Sequence, residues 1–487
     1  MSSLLFALVY FVVGLALLRW RGWRLTDLFH WQGAVGGGAY TLVGIVAFAV
    51  KYNLDLWLAR SIFHQPWSLL NYLVPAGFDQ DSVTTLAGQQ RVFFATMVAA
   101  ALPFIWIGVA LTLRRLRQVK LATWLVLLFF LPVFNLLLFL LLALLPNPQE
   151  PALAQAAPVR ESGFLGRAIP RHQGRAAVIA SLLAAVIGGA VTQVCVSTLS
   201  SYGWSLFVGL PFGLGLLSVL LFGYHQPRSY RSCLAVSQLT VLFYGLGLLL
   251  VAIEGAVCLF MAAPIGLPLA ALGGCMGYHI QRRPMSQGDT PPAILSVLLF
   301  IPLMMGFEHA GQPIAPLFAV HTSIDVGASL ETVWENVVSF PKLPEPQEWL
   351  FRLGVAYPTA AKIEGRGPGA LRHCIFSTGE FLEPIEVWDA PRLLKFSVTS
   401  NPPPMEEWTL YRHIHPPHLN GFLMSQGGQF LLTPLPDGST RLEGTTWYQH
   451  HMWPVSYWRV WSDWIIHRIH LRVLRHIKEL AEHTTEI

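Results

Sequence analysis

Apolar residues fill the first 310 positions of the chain in long blocks and then give way to a shorter-period pattern. About 20 apolar residues cross the hydrocarbon core of a bilayer. Nine stretches approach that length: 3–18, 34–57, 91–113, 121–145, 176–198, 204–224, 234–253, 256–280 and 292–310. The first lacks a basic leader and is followed by Arg19, Arg21 and Arg24, so it reads as an anchor with its N-terminus outside. Further basic clusters stand at Arg114, Arg115, Arg117 and Lys120, at Arg160 to Arg175, at Arg228 and Arg231, and at Arg282 and Arg283. Such clusters mark cytoplasmic loops. All of them fall on one side only if 121–145, with Pro132 and Asn135 at its middle, enters and leaves as a bent hairpin. Eight crossings then remain and the C-terminal part lies outside, in agreement with the lack of any Lys or Arg between Arg283 and Lys342. The expected architecture here is an α-helical multi-pass bundle of eight or nine segments.

From Phe318 the period changes. FAVHTSIDVGA alternates and is β-branched, which predicts a strand. Ser329 then opens SLETVWENVVSF, whose Leu330, Val333, Trp334, Val337 and Val338 share one helical face. A short helix around 348–353 follows. Extended runs at 359–365, 370–377, 381–389, 392–400, 420–434 and 439–450 come next, separated by turns such as Pro436-Asp437-Gly438. One amphipathic helix, about 454–483, closes the chain. The predicted order is one strand, two short helices, six strands and a long helix.

Composition agrees with this division. Of 487 residues 53% are hydrophobic and 12% charged, about half the charge of a soluble domain, which excludes a single soluble globule and a disordered chain. Residues 1–320 carry 18 Lys+Arg against 9 Asp+Glu, whereas 321–487 carry 14 against 18. The net charge of +5 is therefore the signature of basic loops and not of a nucleic-acid partner. Five scattered cysteines form neither a disulfide framework nor a cysteine zinc motif.

Two families are resembled. Leu113 to Asn147, with Arg-Arg-Leu, a polar turn, a Trp and a Pro-broken apolar run, resembles the bacterial inner-membrane family called domain of unknown function eight hundred and five. The match covers about 20–150, and Arg117 and Gln118 stand where that family has His-Asp. In the second half, SLETVWENVVSFPKLPEP, the strand pair FLEPIEVWDAPRLLKFSV and the closing helix resemble the START-like, or SRPBCC, superfamily over 318–484. That resemblance implies an α+β helix-grip domain, an antiparallel sheet curled round the C-terminal helix with an apolar cavity between them. It implies no catalytic motif. The expected domains are 1–150, a basic linker loop 151–175, a second bundle 176–310, and a ligand-binding domain 318–487.

Aromatics crowd the closing helix, and Tyr457, Trp461 and Trp464 share a face at i, i+4, i+7, either as packed core or as a pocket lining. With Trp334, Trp388 and Tyr448, and with Trp408 and Tyr411 from the long Pro-rich loop 401–418, they are the candidate ligand contacts. Such a loop beside a bilayer serves as a lid, a docking surface or simply a rigid surface segment. The polar cavity candidates are His373, Glu383, Glu386 and His450. Cross-strand salt pairs on the wet face, involving Arg372 as well, are the competing role for these groups.

Of 17 histidines 11 follow residue 320, including His413, His415 and His418. No HExxH occurs, and Pro416-Pro417 would splay the flanking rings, so no metal site and no cofactor is expected. Glu254 and Glu308 interrupt apolar runs. A turn at the interface and a helix exit explain them, while an ion relay would require a partner such as His279. Catalytic motifs are absent. The chain is expected to be a multi-pass protein of the bacterial inner membrane, its C-terminal domain extracytoplasmic, binding or transferring a hydrophobic or amphipathic ligand of the lipid or isoprenoid class. The alternatives are a cyclase- or aromatase-type enzyme and a membrane-anchored scaffold. The expected partners are the lipid bilayer and that small molecule or lipid.

Overall fold

The computed structural model describes residues 2–20, 22–72, 88–130, 134–145, 164–199, 202–282, 290–311, 315–409, 411, 414 and 416–485. Pro132, most of the linker 151–175, Arg283, His413 and His415 lie outside the described residues. The chain forms two units, 1–247 with 263–312 and 248–262 with 313–487.

The helices in chain order are α1 Ser2–Trp20, α2 Gly37–Trp57, α3 Gly88–Gln118, α4 Phe134–Leu144, α5 Phe164–Ala168, α6 Gln173–Val194, α7 Leu210–Phe222, α8 Tyr230–Leu250, α9 Ala256–Gln281 and α10 Thr290–Gly311. Among the described residues six helical stretches are long and apolar enough to cross a membrane: Gly37–Ile62, Arg91–Gln118, Gln173–Ser197, Ser205–Phe222, Tyr230–Leu250 and Ala256–Gln281. This corrects the expected eight or nine. Segment 3–18 counts only as the shorter apolar stretch Leu5–Gly14, and 292–310 forms α10, which is not one of the six. Segment 121–145 is two pieces, a 3₁₀ turn at Thr123–Phe130 and the 11-residue α4. At 1.5 Å per residue α4 reaches about 16 Å, half the hydrocarbon thickness.

Two devices hold the first unit. Arg115 is fully buried and donates from Nε to Leu142 O (2.8 Å) and from Nη2 to Leu145 O, which occupies carbonyls left open at the end of α4. In addition, α7 and α9 pass backbone to backbone. A Cβ on Gly215 would fall on the carbonyl oxygen of Ala270, and one on Gly273 on that of Phe212. The Gly- and Pro-rich stretch of α9 is thus a close-packing surface in a continuous helix. Glu308 caps the turn that opens at Ser205, accepting from its backbone N–H (3.0 Å) and its hydroxyl, a structural role in keeping with a helix exit.

The second unit contains seven strands: β1 Leu317–Val326, β2 Pro358–Glu364, β3 Leu371–Phe376, β4 Gly379–Asp389, β5 Leu393–Ser397, β6 Leu423–Pro434 and β7 Thr440–His450. Its helices are α11 Leu330–Val338, α12 Trp349–Arg352 and α13 Val455–Thr485. The predicted strands and helices all form, because alternation and capping are local signals. Ser329 caps α11 by accepting from Thr332 N–H. The sheet is antiparallel throughout, in the order β1-β7-β6-β5-β4-β3-β2. Its concave face holds α13, which is the helix-grip arrangement. Val473, Leu474, Ile477 and Ala481 of α13 pack with Val333 and Val337 of α11 and with Leu394, Leu432 and Leu442 of the sheet in one apolar core. Toward the start of α13 that core gives way to a cavity.

Candidate functional site

The cavity measures about 140 Å³ and lies between the sheet and α13. Ile465, Ile466, Ile469, His470 and Val473 of α13 form one wall, Phe396, Phe430, Cys374 and Phe381 the facing strands, and Asn401–Pro404 a side. A bulge in β6 at Ser425/Gly427 keeps the sheet open here. Asn401 ties the Pro-rich segment down, accepting from Ser425 N–H (2.7 Å) and donating to Ser425 O (3.2 Å).

One ion pair lies in the apolar wall. Arg372 and Glu383 face each other in the β3–β4 register and are bonded side chain to side chain. The Arg372 guanidinium also lies over the rings of Phe396 and Phe430, 5.0 and 5.5 Å from their centroids. Glu383 keeps Arg372 charged despite its burial. Burial also pushes the Cys374 thiol up to about 12, which disfavours the thiolate. The cross-strand pairing expected for these residues is present, but on the buried face and not the wet one. Strand parity decides: β3 and β4 turn Arg372 and Glu383 inward, and they turn His373 toward Glu380 (3.2 Å) on the outer face. Glu386 pairs with Lys395 (3.4 Å) at the surface.

His470 supplies the second polar feature of the wall. Its Nε2 is 2.8 Å from Thr446 Oγ1 and its Nδ1 3.1 Å from Thr322 Oγ1, which in turn meets His467 Nδ1 at 2.8 Å. Burial, then the neighbouring His467 and His321, brings the His470 imidazole down to about 4. A neutral ring with one donor and one acceptor nitrogen suits two hydroxyl partners.

Of the sequence candidates, Glu383 lines this cavity. Tyr457, Trp461 and Trp464 occupy the side of α13 opposite the isoleucines, as 100° per residue dictates. Tyr457 donates its hydroxyl to Met261 O, Trp461 meets the ring of Phe260 (6.4 Å), and Trp464 that of Trp349 (6.0 Å). Trp334 and Trp388 pack edge to face beside the apolar core. Tyr448 and His450 form a second small core with Phe318, where burial brings the His450 imidazole down to about 4. Trp408 is 59% exposed, and Tyr411 donates its hydroxyl to Leu250 O (2.6 Å). Sequence reasoning passed over His470, Phe396 and Phe430 as lining. The signal for His470 was its place on the isoleucine stripe, one residue from Ile469.

Glu254 sits in the α8–α9 turn, as the apolar pattern implied, but its side chain is buried beside His418 and not His279. Burial brings the His418 imidazole down to about 4 and raises the Glu407 carboxyl.

No family model matches the chain, and no curated protein matches it. Solved structures do match. Norcoclaurine synthase of Thalictrum flavum, a point mutant with a transition-state analogue, is 14% identical, covering 36% of this chain and 99% of its own at a TM-score of 0.25. A protein of Nitrosospira multiformis is 20% identical, with 33% and 94% covered and a TM-score of 0.21. The di-domain ARO/CYC protein BexL of the BE-7585A biosynthetic pathway is 12% identical, with 40% and 57% covered and a TM-score of 0.23. Likenesses this distant carry no activity, substrate or partner over to this chain, and each covers about a third of its length.

Proposed function

We propose that the second unit is a membrane-tethered binding module for a small hydrophobic or amphipathic ligand, held between the sheet and α13. The observation that carries this reading is the cavity itself: apolar walls, one buried ion pair and one hydroxyl-bonded imidazole, the composition of a ligand pocket. Its size bounds the occupant. An engineered cavity of about 150 Å³ holds benzene, so the space seats one ring or a short branched chain, as at the end of an isoprenoid. A longer lipid tail would need the Asn401–Pro404 side to open. Arg372 favours an oxygen acceptor on the ligand. The test is extraction and mass spectrometry of the full-length protein purified in mild detergent. A discrete co-purifying hydrophobe, lost in Ile469→Phe while the fold is retained, is expected. Identical extracts from both proteins would defeat the reading.

A second reading, a cyclase-type enzyme, draws on Glu383, a buried carboxylate in the cavity wall. It requires turnover of a bound carbonyl compound that Glu383→Gln abolishes without loss of binding.

For the membrane part we keep the inner-membrane kind that residues 20–150 resemble, with the second unit extracytoplasmic. Arg228 and Arg231 stand at the start of α8 and Arg282 at the end of α9, whereas the turn joining those helices belongs to the second unit. With the basic ends cytoplasmic, that turn lies on the other side, and for 313–487 to lie there too α10, though not one of the six apolar spans, must cross as well. Alkaline phosphatase fused after Ile487 is expected to be active, and fluorescence there from a cytoplasm-only reporter would reverse the assignment.

A further inference from the structure

Away from the cavity, four side chains with metal-binding atoms converge within the second unit. Glu254 closes the turn between α8 and α9, and Cys258 follows one helical turn later. Glu407 and His418 come from the 401–418 segment. Cys258 Sγ lies 2.9 Å from His418 Nε2, and Glu407 Oε1 lies 3.9 Å from the same nitrogen. On the other side of the ring, Nδ1 is 3.4 Å from Glu254 Oε2. Donor atoms of Glu254, Cys258 and His418 all fall within 4.8 Å of one another. The imidazole and both carboxylates are buried.

The backbone is arranged around this meeting. Val257 N–H donates to Glu407 Oε2 (3.2 Å) and Ala256 N–H to Trp408 O (3.0 Å). A Cβ on Gly255 would fall on the Glu407 carboxylate, so a residue without a side chain is needed there. A helix N-terminus accounts for Glu407 alone, and a thiol–imidazole hydrogen bond accounts for Cys258 alone. Among the described residues Glu407 pairs with no Lys or Arg, and buried carboxylates are as a rule paired or bound to metal.

We propose that Cys258, His418 and Glu407 bind one divalent transition-metal ion, zinc by the character of the donors, with Glu254 holding the His418 ring in place. Thiolate, imidazole and carboxylate are the donors of tetrahedral zinc. Bonds of about 2.0–2.3 Å put neighbouring donor atoms some 3.3–3.8 Å apart, so Sγ and Nε2 must separate by about 0.6 Å and Glu407 must close in by about as much. A carboxylate on the second ring nitrogen is the usual way a ligating histidine is oriented. Binding replaces the Cys258 proton with the metal and releases that proton to solvent, with no change of oxidation state. The ion then fastens the 401–418 segment to the α8–α9 turn, and the same segment carries the Asn401–Pro404 side of the cavity.

The test strips full-length protein in detergent with a chelator, dialyses it and adds cobalt(II) alone. One equivalent is expected to bind with the visible bands of a tetrahedral ion and a thiolate-to-cobalt charge-transfer band. Cys258→Ser is expected to lose that band. Glu254→Gln keeps it but binds about 10–100-fold more weakly, and Cys275→Ser, a cysteine of the first unit, takes up cobalt as wild type does. No uptake, uptake without the thiolate band, or a band that survives Cys258→Ser would overturn the proposal. The wild-type spectrum decides the matter even if a variant fails to fold.

Discussion

Arg372 donates to Glu383 across the β3–β4 register with the two side chains only 3% and 8% exposed, an ion pair shut inside a cavity wall. Desolvating two charges offsets most of their attraction, so the pair adds little net stability while the loss of one partner strands the other. Glu383→Leu is expected to destabilise the second unit by about 3–5 kcal/mol, and Arg372→Met with Glu383→Leu to recover most of that loss. Thermal unfolding of Glu383→Leu, Arg372→Met and the double variant measures the coupling. A double variant as unstable as Glu383→Leu would show that the charges do not act as a pair.

Stability is expected to fall with acid because of His470. Its folded-state value of about 4 lies below the ordinary imidazole value near 6.5. The unfolded chain therefore takes up a proton first. The stabilisation is complete above about 6.5 and is lost as pH falls through 4. Facing it are His467, His321, Thr322 and Thr446. Melting temperatures between pH 7.5 and 5 are expected to decline less steeply in His470→Gln. An unchanged slope would show that His470 does not carry the proton uptake.

Arg115 should not be replaceable by lysine. Its planar fork reaches Leu142 O and Leu145 O together, and a single ammonium does not reproduce that geometry. Arg115→Lys and Arg115→Met are both expected to cost the first unit about 2–4 kcal/mol, from charge-assisted hydrogen bonds to carbonyls that are left open. Wild-type melting of Arg115→Lys in detergent would refute this.

Gly215→Ala tests the α7–α9 approach. The added methyl meets the Ala270 carbonyl and not a movable side chain, so the helices must separate. A loss of about 1–3 kcal/mol is expected. Gly189→Ala, where nothing lies within 4 Å of the new atom, serves as the neutral control.

Much of the second unit was legible one residue at a time. Alternation marked the strands, Ser329 announced the cap of α11, and the closing amphipathic run became α13, because hydrogen bonding and side-chain period are local properties of the backbone. Segment 121–145 showed its break in Pro132 and Asn135, which pointed to a bent hairpin, and it forms two pieces, Thr123–Phe130 and Phe134–Leu144.

What faces what was a different matter. The aromatic stripe Tyr457, Trp461 and Trp464 drew attention to one side of α13, whereas the cavity took the isoleucine side with His470, since two sides of one helix are both apolar and only the sheet chooses between them. Arg372 and Glu383 could be paired from sequence but not assigned a face, because a shift of one residue in a strand inverts every side chain. Glu254 and His418 stand 164 positions apart, and no spacing rule joins a turn between two apolar helices to a Pro-rich loop. Local period and composition determined the elements of the second unit; the assignment of 248–262 to that unit, and the meeting of distant side chains in the cavity and around His418, were decided only by tertiary packing, which brings together groups that the linear sequence keeps apart.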